Sequence, residues 1–323
     1  MKPAFIHRLV NGPFEDPSLF VGIPGERRAL LFDIGDISKL GPGNLQKITD
    51  VFVTHTHIDH FIGFDTLLRA VLRREVPLRI YGPANITECI EGKLKGYTWN
   101  LIKDYPLKLE VICVDGNSVA PTGFYAEQCF QGTGHPPSVF NGILLKETPF
   151  TVKAVQLDHQ TPCLGFSLEE EFHININKAL LNEMGLPVGP WLSELKKTIR
   201  EGRSGDTGIV VGGKEFPLDM LRNIATITKG QKISYITDVS LTEENIRKII
   251  GFTGNSDTLY CEAYFMDKDR DRAKERFHLT AKTAGMIAKK AGARNLIVMH
   301  FSPKYRDTPD GPTQEAMEEF GRQ

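Results

Sequence analysis

Residues 50–60 read Asp-Val-Phe-Val-Thr-His-Thr-His-Ile-Asp-His. The apolar half, 50–54, has the pattern of a short strand, and the polar half begins a turn that leads into a helix. His55, His57, Asp59 and His60 fall within six positions. In an extended or tightly turned segment His55 and His57 point to the same side and can grip one ion. Asp59 and His60 open the next helix, where they can reach a second ion. Imidazole with carboxylate suits zinc, and manganese or iron accept the same donors. Without an ion, so many histidines beside a carboxylate would carry an unfavourable burden of desolvation and like charge. Two divalent ions held this way suit hydrolysis of a phosphodiester or a similar bond.

Outward from this stretch the chain alternates short strands with helices. Strands are expected over 4–10, 18–23, 28–32, 78–81, 109–114, 125–130, 151–156 and 164–169, and again over 232–237, 258–261 and 295–299. Helices are expected over 61–73, 86–94, 242–250, 280–291 and 313–320, with Thr242 and Thr280 as caps. This is an α/β pattern in two successive β-rich and α-bearing halves, which fits a layered sandwich of sheets with outer helices. Three further polar residues each end an apolar run: His159 after 151–157, Asp238 after Lys-Ile-Ser-Tyr-Ile-Thr, and His300 after Asn-Leu-Ile-Val-Met. Singly, each is a turn residue. Jointly, they are the extra ligands that a two-metal site needs.

The 323 residues carry 41% hydrophobic and 24% charged side chains, ordinary for a globular protein. A formal net charge of −1 excludes a globally basic nucleic-acid binder, so any RNA contact must come from a local patch. The five cysteines are odd in number and contain no Cys-x-x-Cys pair, which argues for a reducing compartment. The first residues have no apolar signal core, and no stretch is long and apolar enough to span a bilayer. The expectation is a cytoplasmic protein without membrane contact.

The motifs resemble those of the metallo-β-lactamase superfamily, and within it the ribonuclease Z family, endonucleases that trim the 3′ end of precursor tRNA. His-Thr-His-Ile-Asp-His at 55–60 is similar to the superfamily signature. Leu-Asp-His-Gln-Thr-Pro-Cys-Leu-Gly-Phe at 157–166 and His-Phe-Ser-Pro-Lys-Tyr at 300–305 resemble the family's later motifs. The segment 177–202, with Gly189-Pro190, resembles the base of the family's substrate-gripping arm. The likeness runs from residue 30 to residue 305. It implies an αββα four-layer sandwich, one domain over 1–323, with an inserted arm over 172–202.

It also implies residue roles. His55, His57 and His159 would hold one metal, and Asp59, His60 and His300 the other, with Asp238 bridging. Asp33 would orient ligands from behind. A metal-activated hydroxide would attack phosphorus, formed from a water that Asp59 steers or deprotonates. His278 matches the family's His-Ser-Thr loop with Leu279 in place of serine, and is either a phosphate or proton-transfer residue or simply the entry to a helix. Glu262 joins Asp59 and His278 as a candidate catalytic group. Ser302, Lys304 (where the family has arginine) and Tyr305 would contact substrate, as would Lys196 and Lys197 of the arm. Cys261-Glu262-Ala263-Tyr264 stands where the family has His-Glu-Ala-Thr. Residues 33–36 and 236–239 also depart from the family pattern. The implied partners are precursor tRNA and a second copy in a homodimer. The alternatives are a hydrolase of a small cyclic nucleotide, phosphodiester or lactone, and a non-catalytic RNA-binding homologue.

Overall fold

A computed structural model describes residues 4–321. The chain forms two compact units. The larger holds Phe5–Leu145, Val152–Leu168 and the chain from Lys232 onward, and the smaller holds Lys146–Thr151 and Glu169–Gln231.

In the larger unit one sheet runs β1 (Ile6–Leu9), β2 (Leu19–Gly22), β3 (Ala29–Phe32), β4 (Ile48–Phe52), β5 (Leu78–Pro83), β6 (Lys108–Asp115), β7 (Ser118–Tyr125) and β8 (Gly132–Gly134), with β9 (Ser138–Val139) also on β7. Strands β3 to β6 are parallel. The second sheet begins with β10 (Ile143–Glu147), β11 (Phe150–Asp158) and β12 (Pro162–Glu170), whose far ends belong to the smaller unit.

The smaller unit has its own core. β13 (Phe172–Ile176) and, after β14 (Gly208–Val211) and β15 (Lys214–Pro217), β16 (Ala225–Lys229) form two antiparallel ribbons, β13 with β16 and β14 with β15. Gly212 and Gly213, both at positive φ, make the two-residue turn that joins β14 to β15. Asn177 caps the helix Lys178–Glu183 by accepting from the Ala179 and Leu180 amides. Leu181, Trp191, Leu195, Ile209, Leu218 and Leu221 pack together, and Trp191 Nε1 donates to the Pro187 carbonyl at 2.8 Å. The insertion is therefore longer than 172–202. Helix Trp191–Arg200 buries its apolar stripe against Leu181 and Leu186 before it and Ile209, Leu218 and Leu221 after it.

The second sheet resumes in the larger unit with β17 (Lys232–Ile236), β18 (Thr258–Glu262) and β19 (Leu296–Met299), parallel and in the order β10-β11-β12-β17-β18-β19. Strand alternation sorts the side chains into layers. Phe32 and Phe52 from the first sheet meet Phe166 at ring distances of 5.8 Å, and Phe32 lies 6.1 Å from Tyr235, so the two sheets face one another. On the outer side of the first sheet Leu31, Val51 and Ile80 pack against Phe64, Leu67 and Ile90 of helices Phe64–Val71 and Ile86–Lys95. Outside the second, Leu259, Cys261 and Val298 pack against Ala284 and Ile287 of helix Ala281–Lys290 and Ala316 of helix Gly311–Gly321. The result is the expected αββα order.

Two local expectations differ. The helix expected over 61–73 is broken into Ile58–Phe61 and Phe64–Val71. Gly63 sits at the break, where a Cβ would collide with the Gly35 carbonyl oxygen. The strand expected over 125–130 does not form: β7 ends at Tyr125, a single 3-10 turn spans Ala126–Gln128, and Cys129 and Phe130 adopt positive φ.

Candidate metal centre and catalytic cavity

Strand ends deliver the site. Asp33 follows β3, the residues 54–60 follow β4, His159 follows β11, Asp238 follows β17, Glu262 ends β18 and His300 follows β19. Asp33, Gln160, Asp238, Phe277 and His300 all have φ between 51° and 61°. A left-handed residue turns the chain sharply off the strand axis and aims the side chain across the sheet edge. Asp and His tolerate this conformation, whereas for Phe277 it is strained by about 1–3 kcal/mol.

The seven expected metal ligands converge. His55, His57, His159 and Asp238 bring donor atoms within 4.8 Å of one another, and so do Asp59, His60 and His300. Asp238 touches both groups. Its Oδ2 lies 3.5 Å from His55 Nε2, 3.5 Å from His159 Nε2 and 3.4 Å from His60 Nε2, and its Oδ1 lies 2.6 Å from His300 Nδ1. Asp59 Oδ2 stands 3.3 Å from His300 Nε2 and 3.6 Å from His60 Nε2.

The surrounding hydrogen bonds fix the tautomers. His159 Nδ1 donates to the Phe277 carbonyl at 2.7 Å, and a carbonyl can only accept. His60 Nδ1 donates to Asp33 Oδ2 at 2.8 Å. The Thr54 hydroxyl donates to Asp33 at 2.9 Å, so its oxygen is free to accept from His55 Nδ1 at 3.1 Å. Asp33 is further held by the Thr54 amide at 2.7 Å and the Tyr235 hydroxyl at 3.1 Å. Each of these three histidines thus engages Nδ1 outward and turns Nε2 inward. The buried Nε2 atoms of His55 and His60 have no hydrogen-bond partner. Orphaned buried nitrogens beside a shared carboxylate are what a cation would satisfy, and the donor set fits divalent metals.

Electrostatics agree. Burial, together with neighbouring His60, pushes His55 down to about 2, so it is neutral and its lone pair is available. Burial alone would lower His300, but the Asp238 carboxylate beside it holds it up at about 9. Asp59 stays well below the usual carboxylate range: burial opposes this most strongly, and the His300 hydrogen bond together with the charges of His60 and His300 outweighs it. In the absence of cations, protons on histidine balance the carboxylates.

A cavity of about 540 Å³ opens over this cluster, lined by His57, Asp59, His159, Asp238, His278 and His300 with Tyr264, Arg272, Arg276 and Ser302 among others. His278 belongs to it. Its Nδ1 donates to Glu262 Oε2 at 2.9 Å, and its ring stacks on Tyr264 at 4.0 Å and 7°.

Four expected contacts are otherwise. Glu262 is fully buried, with Oε1 accepting from the Val239 amide at 2.7 Å and Oε2 bound to His278, so it orients His278 and does not line the cavity. Tyr305 is buried against Phe265 and Ala273, donates to Asp269 Oδ2 at 2.5 Å and accepts from the Met266 amide at 3.0 Å. Lys304 is tied to the same Asp269. Neither lines the cavity, whereas Ser302 does. The fourth concerns the basic run of the insertion. Arg200 is paired with buried Glu170 at 2.9 Å, and Arg203 and Lys197 lie 2.8 Å and 3.8 Å from Glu201. Lys197 is the exposed cation of that helix, while Lys196 is half-buried.

Cys261, where the resembled family has histidine, faces the helices on the far side of the sheet, because alternation along β18 sends 260 and 262 one way and 261 the other. Burial raises its thiol far above the ordinary range. Sequence reading missed Tyr264, Arg272 and Arg276. The available signals were Tyr264 two positions from Glu262, and the four-residue spacing of the arginines.

No family model matches the chain. The chain is 30% identical over 294 residues to "Ribonuclease Z" of Limosilactobacillus reuteri, covering 87% of this chain and 80% of the relative. It is 29% identical to "Ribonuclease Z" of Deinococcus radiodurans, covering 93% and 90%. Among solved structures, a metallo-beta-lactamase fold protein from Bacillus subtilis superposes with TM-score 0.58 at 18% identity, covering 99% and 94%. Human tRNase Z, short form, superposes with TM-score 0.51 at 20% identity, covering 94% and 93%. These structural likenesses establish the fold.

Proposed function

The chain belongs to the ribonuclease Z family, and from that premise we propose that it hydrolyses a phosphodiester bond of RNA, precursor tRNA being the substrate, at the paired ligand cluster. The observation that carries the proposal is Asp238, which stands within 3.5 Å of His55, His60 and His159 and 2.6 Å from His300. A carboxylate in that position suits two cations held side by side.

His55, His57 and His159 would hold one divalent ion, and Asp59, His60 and His300 the other, with Asp238 between them. Zinc is the metal this donor set favours, and manganese or iron would be accepted. Bound there, the ions supply Lewis acidity, lowering the pKa of water and offsetting charge on phosphate oxygens. The chain's own groups do the rest. Asp59, at the cavity wall, takes the proton of the attacking water. His278, with Nδ1 committed to Glu262, keeps Nε2 for the departing oxygen and delivers a proton there. Tyr264, stacked on His278, keeps the imidazole plane fixed. Ser302 is a hydroxyl donor for a phosphate oxygen. Among the described residues no helix is long and apolar enough to cross a membrane.

The test is product-end analysis of precursor tRNA carrying a 3′ trailer, with metal content measured in parallel. About two ions per chain and a single cut at the trailer junction support the proposal. Turnover of bis(p-nitrophenyl) phosphate without any cut in tRNA would replace it with a small-diester hydrolase. Metal-loaded protein that turns over neither substrate would make it a binding protein. The proposal extends to a cytoplasmic homodimer whose light-scattering mass is twice the 36.1 kDa of one chain.

A further inference from the structure

We propose that Arg272 and Arg276 form a second phosphate site at the rim of the cavity, one that binds the phosphate neighbouring the scissile one and so selects a polynucleotide over an isolated diester. This rests on the phosphodiesterase reading above.

The two arginines are four residues apart, in and just after helix Arg270–Glu275, and therefore share a face. Both line the cavity that holds His57, Asp59, Asp238 and His300. Three other cations nearby are already matched: Arg270 pairs with Asp267 at 2.9 Å, Lys282 lies 3.7 Å from Asp267, and Lys304 pairs with Asp269. Among the described residues, Arg272 and Arg276 have no carboxylate within ion-pair distance. Glu275 also lines the cavity without pairing with either. An arginine fork left unmatched beside a centre that works on phosphate is suited to bidentate phosphate contact.

Their placement is fixed from below. The Arg272 guanidinium lies 5.9 Å from the ring of buried Phe265. Phe277, strained at φ 61°, closes the turn after Arg276 and gives its carbonyl to His159. The His278 amide donates to the Ala273 carbonyl at 2.9 Å. One turn of backbone thus carries the arginines, the proton-transfer histidine and the support of a metal ligand. A phosphate held by the arginines is registered against the reacting centre through that turn.

The experiment compares the zinc-loaded protein with the double variants Arg272→Ala/Arg276→Ala and Arg272→Lys/Arg276→Lys. Each is assayed on an RNA oligonucleotide and on bis(p-nitrophenyl) phosphate, which has no neighbouring phosphate. The alanine variant should raise KM for RNA by about tenfold or more and leave kcat and both diester constants unchanged. Its plot of log kcat/KM against log salt should be shallower by about 0.7 per lost contact. The lysine variant should recover the salt slope but only part of the KM. An unchanged KM for RNA, or an equal loss on both substrates, overturns the arginine site while diester turnover by the wild type keeps the phosphodiesterase reading standing. Metal-loaded wild type inactive on both substrates overturns that reading and the arginine site with it.

Discussion

Replacing Asp33 by Asn exchanges one carboxylate oxygen for an amide nitrogen and, on the proposed two-metal reading, should cost the protein one ion. Asp33 is fully buried and receives four donors: the Thr54 amide at 2.7 Å, the Thr54 hydroxyl at 2.9 Å, His60 Nδ1 at 2.8 Å and the Tyr235 hydroxyl at 3.1 Å. An amide keeps one accepting oxygen, which can still serve Thr54. Its NH2 then faces His60 Nδ1 and the Tyr235 hydroxyl. The tyrosine can rotate and accept. His60 can accept at Nδ1 only by moving its proton to Nε2, the atom that lies 3.4 Å from Asp238 and 3.6 Å from Asp59. A protonated Nε2 cannot bind a cation. Loss of such a supporting bond lowers metal affinity by about 10–100-fold, or about 1.4–2.7 kcal/mol. Weakening the charge-assisted bonds should lower folding stability by a further 1–3 kcal/mol, on the order expected for a buried network. Chelator competition followed by metal analysis reads the result. The wild type should release its ions at similar chelator strength, and the variant should lose the His60 ion first while keeping the ion at His55, His57 and His159. A variant that stays folded and binds both ions as tightly as the wild type refutes the tautomer argument.

Four other outcomes are expected. Because Asp238 holds His300 up at about 9 against an ordinary 6.5, a cation must displace that proton, so metal affinity should climb with pH and level off above about 9. In the metal-free protein the same raised pKa adds stability below pH 6.5 that is lost as pH rises through about 9, which thermal melts across pH 6–10, a range set by linkage, would detect. Glu262→Gln, which releases His278 Nδ1, should cut kcat on RNA by about 10²–10⁴-fold, yet leave bis(p-nitrophenyl) phosphate nearly untouched because nitrophenolate departs without a proton; equal losses on both would mean that His278 is not the proton donor. Cys261→Ala should cost roughly 1–2 kcal/mol in chemical denaturation and nothing in turnover, since the thiol fills core among Leu259, Ile287 and Val298; a loss of activity at full folding would contradict that.

The convergence of the candidate ligands was legible because the decisive information is local. His55, His57, Asp59 and His60 lie in one short run, and His159, Asp238 and His300 each break an apolar strand at its end. The layers were legible for a similar reason, since short, mostly apolar strands such as β3 and β19 follow or precede helices with one apolar face. Cys261 shows where that reading stopped short: position in a motif suggested a catalytic vacancy, while alternation already sent the residue to the opposite face from Glu262. Arg272 and Arg276 were hidden because a charged run looks the same whether it faces solvent or a cavity. Tyr305 was hidden because the partner that buries its hydroxyl, Asp269, lies 36 residues away in sequence. The length of the insertion was obscured because residues 203–231 repeat the short apolar strands of the main sheets, and only tertiary packing assigns them to a separate core.

That separate core has a consequence for how such a protein can change. The Glu170 amide donates to the Gln231 carbonyl at 2.9 Å, so the two ends of the inserted segment meet at a single doorway. What lies beyond that doorway can be trimmed, lengthened or exchanged for a foreign module by rejoining two neighbouring backbone positions. The strand ends that gather the candidate ligands, which the doorway does not interrupt, would be inherited intact.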